Sequence, residues 1–166
     1  YHMGNYDPQT GAVIARKTVQ GYADSSAWAR GQAWGLYGYT MCYRETKNKA
    51  YLDHAEHIAA FILHHPNLPQ DKVPFWDFNA PGIPNEPRDA SAAAVIASAL
   101  YELSAYTKTN AKIYRATADQ ILESLAGSQY TSPANENKGF ILLHSTGAKP
   151  ANSEVDVPLN YADYYY

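Results

Sequence analysis

Apolar residues return at helical spacing in four stretches of the chain, separated by polar and proline-rich segments. In residues 25–46, Trp34, Tyr37 and Met41 fall on one side of a 3.6-residue repeat, which predicts a helix with Asp24 or Ser25 as its N-cap. Gly31, Gly35 and Gly38 lie inside it at i, i+4 and i+7. Each costs about 1 kcal/mol relative to alanine, so a stripe of bare backbone there calls for close approach by another helix or by a ligand. Residues 49–65 form a second helix, with Leu52, Ala55, Ala59, Ile62 and Leu63 on one face and Pro66 as its stop. A third spans 89–106, capped by Asp89, with Ala93, Ile96, Ala97, Leu100 and Ser104 facing one way. A fourth spans 111–126 between an Asn110 cap and a Gly127 stop, and its face is Tyr114, Ala118, Ile121 and Leu125.

The intervening segments carry different signals. Asp7-Pro8 and Thr10-Gly11 mark turns, and residues 13–19 suit a short hairpin strand. Six prolines fall in residues 66–88, yet Phe75, Trp76 and Phe78 are too apolar to leave in water, so this is an ordered loop. Residues 128–159 return to loop, with a short strand expected at 140–143. Helical hairpins separated by long loops stack into solenoids or close into α/α toroids. The expected fold is therefore all-α, a partial ring of helical hairpins, with long loops gathered at one end where sites form. No Met stands at position 1, and residues 160–166 read as the start of an unfinished helix. Four helices and part of a fifth do not close a twelve-helix ring, so residues 1–166 are expected to be part of one domain.

Composition narrows the function classes. Hydrophobic residues make up 46% and charged residues 17%, values of a globular chain. A net charge of −3 with no basic block argues against a nucleic-acid partner. No apolar run approaches the roughly 20 residues needed to cross a bilayer. The single cysteine, Cys42, lies in an apolar helical stretch and reads as a core residue. His54, His57, His64 and His65 form no metal-binding motif, and no metal or cofactor is expected. Fifteen Tyr and three Trp supply flat faces with polar tips, suited to sugar rings and equally to filling space between helices.

The densest chemistry lies in residues 20–35. Arg30 and Trp34 are i, i+4 neighbours, so a guanidinium can bind a carboxylate while the indole stacks on a sugar; a buried cation–π pair fits the spacing as well. Trp28 is two residues before Arg30, roughly opposite on an ideal helix, so both share a pocket only if Trp28 precedes the helix or lies in its first turn. Among the acids, Asp24 and Asp89 read as caps, Asp77 among aromatics as a site candidate, and Asp156 as structural.

The stretch Trp28-Ala29-Arg30-Gly31-Gln32-Ala33-Trp34 resembles the signature of glycoside hydrolase family 88, the unsaturated glucuronyl hydrolases. Tyr6-Asp7-Pro8, Pro74-Phe75-Trp76-Asp77-Phe78, Arg88-Asp89-Ala90-Ser91 and Asn152-Ser153-Glu154-Val155-Asp156-Val157-Pro158 agree in order and spacing. The resemblance implies the C-terminal half of an (α/α)6 barrel. It implies removal of a 4,5-unsaturated uronic acid from oligosaccharides made by polysaccharide lyases. The reaction is hydration of the C4–C5 enol ether, with one Asp as acid and then base. By that pattern both key aspartates lie upstream of Tyr1, and this chain supplies supporting residues. His2 would sit beside the acid. Gln20 would hold sugar hydroxyls or the water, Trp28 and Trp34 would stack on rings, and Arg30 would face the uronate or the next sugar. His144, Ser145 and Ser153 would contact the carboxylate. The partners implied are the unsaturated oligosaccharide and the remaining half of the barrel. A bacterial periplasmic or cytoplasmic location suits the family equally. Related unsaturated rhamnogalacturonyl hydrolases differ where this chain has Gln32 and Ala33. A non-catalytic helical-repeat module binding glycan or protein is the rival reading.

Overall fold

The computed structural model describes residues 3–134 and 136–166. Strands β1 (Met3–Tyr6) and β2 (Val13–Lys17) pair antiparallel, Met3 opposite Lys17 and Asn5 opposite Ala15. The predicted turn joins them. Asp7 Oδ1 accepts from the Gln9 and Thr10 amides at 2.9 and 2.7 Å, and Gly11 takes φ +70°, a conformation other residues enter at a cost.

The four predicted helices are present as α1 (Ala29–Thr46), α2 (Lys49–His64), α3 (Ala90–Ser104) and α4 (Ala111–Ala126). A short α5 (Asn160–Tyr165) follows. Helix α3 is buried almost all round, with alanines where neighbours approach, and α1, α4 and α5 pack on it. Helix α2 lies against α1, so its apolar stripe of Ala55, Ala59 and Ile62 is buried as the periodicity requires.

Helix α1 starts later than its sequence signals suggest, and Asp24 is not its cap. Asp24 Oδ1 accepts from the Thr18 amide at 2.7 Å, and Trp28 occupies the cap position with no side-chain cap bond. The reason is a tertiary anchor. Asp77, fully buried, accepts from the Tyr22 amide at 2.9 Å, the Ser26 hydroxyl at 2.7 Å and the Asn79 amide at 2.8 Å. The Ala29 amide, an orphan donor at the helix start, donates to the Trp76 carbonyl at 3.0 Å. Residues 20–28 are thus pinned to the 66–88 loop in a non-helical path. Asp77, expected as a site candidate, has its carboxylate taken up by this anchor.

Asp89 does cap α3, accepting from the Ala92 amide at 3.3 Å. Asn110 stands at the cap position of α4 without a side-chain cap bond, its amide donating instead to the Tyr114 hydroxyl at 3.3 Å. Gly127 ends α4 in an extended conformation, φ −71°, so its role there needs no left-handed backbone. The glycine stripe of α1 divides into three environments. An added Cβ on Gly31 would meet the Trp28 ring at 2.6 Å, one on Gly35 would meet Ile58 of α2 at 3.3 Å, and Gly38 has nothing within 4 Å.

The 66–88 loop is ordered, as its aromatics require. Arg88 forms a fork on Asp71 with both N···O distances at 3.1 Å, lies over the Phe75 ring at 4.7 Å, and the Tyr130 hydroxyl donates to Asp71 at 2.9 Å. The strand expected at 140–143 is absent. Leu142 makes one isolated bridge to Thr131, while the Ile141 and Leu142 amides donate to the Asp163 carboxylate at 2.9 and 2.8 Å. That carboxylate from α5 takes the donors a further strand partner would use.

Candidate functional site

Arg30 is the centre of the densest polar network in the described residues. Its side chain is 3% exposed and faces the fully buried Asp89 at 2.8 Å. The same nitrogen, Nη1, donates to the Thr146 carbonyl at 2.5 Å, and Nη2 donates to the Gly147 carbonyl at 2.5 Å. Asp89 Oδ1 in turn accepts from the Ser91 hydroxyl at 2.5 Å and from the Thr146 amide at 3.4 Å. A charge removed from water needs a partner and further hydrogen bonds, and this pair has both. The Trp28 ring lies 4.8 Å from the guanidinium carbon and the Tyr161 ring 5.6 Å from it. Burial pushes the Tyr161 phenol up, against the downward pull of Arg30, so it stays a neutral donor.

The loop held by this network is a narrow hairpin-like excursion. Ser145 and Val157 exchange backbone bonds of 3.0 and 2.9 Å, the Gly147 amide donates to the Glu154 carbonyl at 2.6 Å, and a 3-10 turn at Lys149–Ala151 forms the tip. Gly147 is required where it stands: a Cβ there would lie 2.6 Å from the Glu154 Cβ and collide with its carboxylate. Gln20 grips the same carbonyl as Arg30, its Nε2 donating to Gly147 O at 3.0 Å. On the opposite side Lys149 pairs with Glu86 at 3.0 Å and lies over the Trp76 ring at 5.3 Å. Burial pushes the Glu86 carboxyl up, but bonds from Trp76, Lys149 and the Gly82 amide outweigh it and hold the group below its usual range.

The expected site residues therefore separate. Gln20, Trp28 and Arg30 do come together with the loop. A shared pocket required Trp28 before the helix or in its first turn, and it stands at the cap position, folded against Gly31. Arg30 takes the buried arrangement, committed to Asp89 and two carbonyls, rather than facing open space. Trp34 is elsewhere on α1. It packs edge-on to Tyr165 at 5.3 Å and lines a hollow of about 330 Å³ with Gly35, Gly38, Tyr39, Met41 and Cys42. Ser145 is fully buried and its Oγ accepts from the Ser91 amide at 3.2 Å. Ser153 is exposed beside the loop tip, its amide donating to the Ala148 carbonyl at 3.2 Å. His144 pairs with Asp156 at 2.6 Å in a different cavity. His2 lies outside the described residues. Asp89, Thr146 and Gly147 were not singled out as members of this site; the Asp89 cap signal concealed its second oxygen's role, and backbone carbonyls leave no trace in a motif. Among the described residues no group of three His, Cys, Asp or Glu side chains is placed to hold a metal. No helix among them is long and apolar enough to cross a membrane.

No family model matches the chain. Known proteins nevertheless match it from end to end. It is 51% identical over 166 residues to the unsaturated glucuronyl hydrolase of Formosa agariphila, all of this chain and 41% of that protein. It is 32% identical over 169 residues to the unsaturated chondroitin disaccharide hydrolase of Streptococcus agalactiae, all of this chain and 42% of that one. The crystal structure of an unsaturated glucuronyl hydrolase specific for heparin superposes with a TM-score of 0.96 at 56% identity, covering 100% of this chain and 44% of that chain. The fold is that of the helical barrel of these relatives, present here as a partial ring. Over its whole length the chain is similar to part of the unsaturated glucuronyl hydrolases. It spans about two fifths of the length of the curated relatives it matches.

Proposed function

We propose that this chain forms one wall of an enzyme that removes a 4,5-unsaturated uronic acid from the end of a lyase-generated oligosaccharide by hydrating its enol ether. The observation that carries this reading is the Arg30 fork gripping two adjacent loop carbonyls, with Gln20 on the second of them, in a chain so similar throughout to named hydrolases of this type. In this scheme Arg30 is a positioning residue. It fixes the Thr146–Gly147 peptide, and the shared Gly147 oxygen fixes the Gln20 amide. The Gln20 Oε1 then accepts from a sugar hydroxyl or the attacking water. Trp28 and Ser145 act from behind, by packing, while Gln20, Trp34 and Ser153 keep surface for the substrate. By the family pattern His2 would support the acid. The family pattern places both key aspartates upstream of Tyr1, and one of them is acid and then base: its carboxyl protonates C4 and then helps water attack C5.

The test follows the ultraviolet absorbance of the C4–C5 double bond. Unsaturated glycosaminoglycan disaccharides should lose it with the full-length protein and keep it with residues 1–166 alone. Turnover by residues 1–166 would overturn the division of labour. Selective loss of absorbance from an unsaturated rhamnogalacturonan disaccharide would transfer the chain to that branch. Binding without turnover of any panel member by the full-length protein would favour a glycan-binding module.

A further inference from the structure

A second cavity opens on the other side of the loop that Arg30 holds. Its volume is about 240 Å³, and Arg88, Gln129, Tyr130, His144 and Asp156 line it with Glu86. Two features set it apart from an ordinary surface cleft. His144 and Asp156 are both in left-handed backbone, φ 60° and 56°, and neither is glycine. Non-glycine residues hold such a conformation where the surrounding structure insists on it. The two strained residues face each other, His144 Nδ1 to Asp156 Oδ1, at 2.6 Å. The Tyr130 ring stands edge-on to the imidazole at 6.1 Å, and Tyr130 is itself fixed through its hydroxyl on Asp71.

The Asp156 carboxylate engages Nδ1 and so orients the ring, leaving Nε2 for another partner. No described residue satisfies Nε2. The cavity is also lined by the half-exposed Asp156, the exposed Gln129 and Arg88. The lining therefore combines donors and acceptors in a small hollow, a mixture that hydroxyl groups satisfy. Two carboxylates, Glu86 and Asp156, against one guanidinium, Arg88, leave the lining one negative charge in excess; Lys149 on Glu86 and Asp71 on Arg88 do not change that balance. Sulfated or carboxylated rings are disfavoured there. His144 is three residues from Gly147, so at most ~11 Å of extended chain separates this cavity from the oxygen shared by Arg30 and Gln20.

We propose that the His144–Asp156 cavity is a distal sugar subsite, which takes an uncharged, hydroxyl-bearing ring of a substrate longer than a disaccharide. This rests on the proposed hydrolase reading. The subsite contributes binding for long substrates and nothing to the bond that breaks.

The experiment compares kcat/KM of the full-length protein on an unsaturated disaccharide and on an unsulfated unsaturated tetrasaccharide. His144→Ala and Gln129→Ala should each lower the tetrasaccharide-to-disaccharide ratio by roughly threefold to tenfold, the effect of losing one hydrogen bond. Gln129 is exposed, so its variant keeps the test open where His144→Ala loosens the loop. An unchanged ratio in both variants overturns the subsite, and so does an equal loss on both substrates, which marks the pair as a loop lock only. Should the wild-type protein hydrolyse neither substrate, the hydrolase reading fails. Calorimetric titration with the tetrasaccharide then decides the subsite: weaker binding in Gln129→Ala supports it, and wild-type binding in both variants, or none by the wild type, overturns it.

Discussion

Replacing Arg30 by Met keeps the length of the side chain and removes its charge and fork. Three consequences follow from the geometry. Asp89, with no solvent exposure, loses its counter-charge and keeps only neutral donors from Ser91, Ala92 and Thr146. The Thr146 carbonyl loses the donor Arg30 gives it, while Gly147 O keeps Gln20. The Trp28 and Tyr161 faces lose a cation. Removing one partner of a buried pair costs about 3–5 kcal/mol, several times the value of an exposed pair. Asp89→Ala should cost a similar amount, plus about 1 kcal/mol for the α3 cap. The double variant no longer holds an unpaired buried charge, so its cost should fall short of the sum by ~2 kcal/mol or more. Urea unfolding of the full-length protein, followed by far-ultraviolet circular dichroism, measures all three. Arg30→Lys, which keeps the charge and loses the fork, covers the case in which Arg30→Met is too unstable to purify. Additivity within ~0.5 kcal/mol, or a cost below ~1 kcal/mol for Arg30→Met, would refute the claim that this pair anchors the loop.

Four further outcomes are expected. Gly38→Ala should stabilise by roughly 0.5–1 kcal/mol, because nothing lies within 4 Å of the added methyl, whereas Gly31→Ala should destabilise by forcing the Trp28 ring 2.6 Å away to move; thermal midpoints of the two variants check the contrast. Gly147→Ala should raise KM for the unsaturated disaccharide through displacement of the loop against Glu154, and should lower the unfolding midpoint as well. Tyr130→Phe should cost about 1.5–2 kcal/mol, since burial keeps that phenol protonated and it donates to the Asp71 carboxylate; urea titration reads it. The Glu86 carboxyl sits below its usual range in the folded state, so its contribution is present above the unfolded value and is lost as pH falls through the folded one. Glu86→Gln should therefore be less stable than wild type near pH 7, with the difference closing below about pH 4 in a series of thermal melts.

The helices were legible because each carries a local signature. Leu52, Ala55, Ala59 and Ile62 repeat along α2, and Asp89 and Asn110 stand where α3 and α4 begin. The misread points are those where a partner distant in sequence wins. Asp24 and Ser25 look like caps, but Asp77, more than fifty residues away, draws Tyr22 and Ser26 into a non-helical path. Residues 140–143 look like a strand, but Asp163 takes their amides. The aromatic and basic cluster at 28–34 was visible as chemistry, but Trp28 and Arg30 meet at the loop while Trp34 packs against Tyr165. Which way Arg30 pointed was not visible, because Asp89 and the Thr146 carbonyl that claim it lie 59 and 116 residues downstream.

The loop is fastened by the carbonyl oxygens of Thr146 and Gly147, atoms that every amino acid possesses. Side chains from Ala148 to Ser153 can therefore be exchanged without releasing the anchor, provided position 147 stays small. A scaffold gripped in this manner separates holding from recognising: its rim is free to vary while its foundation stays put.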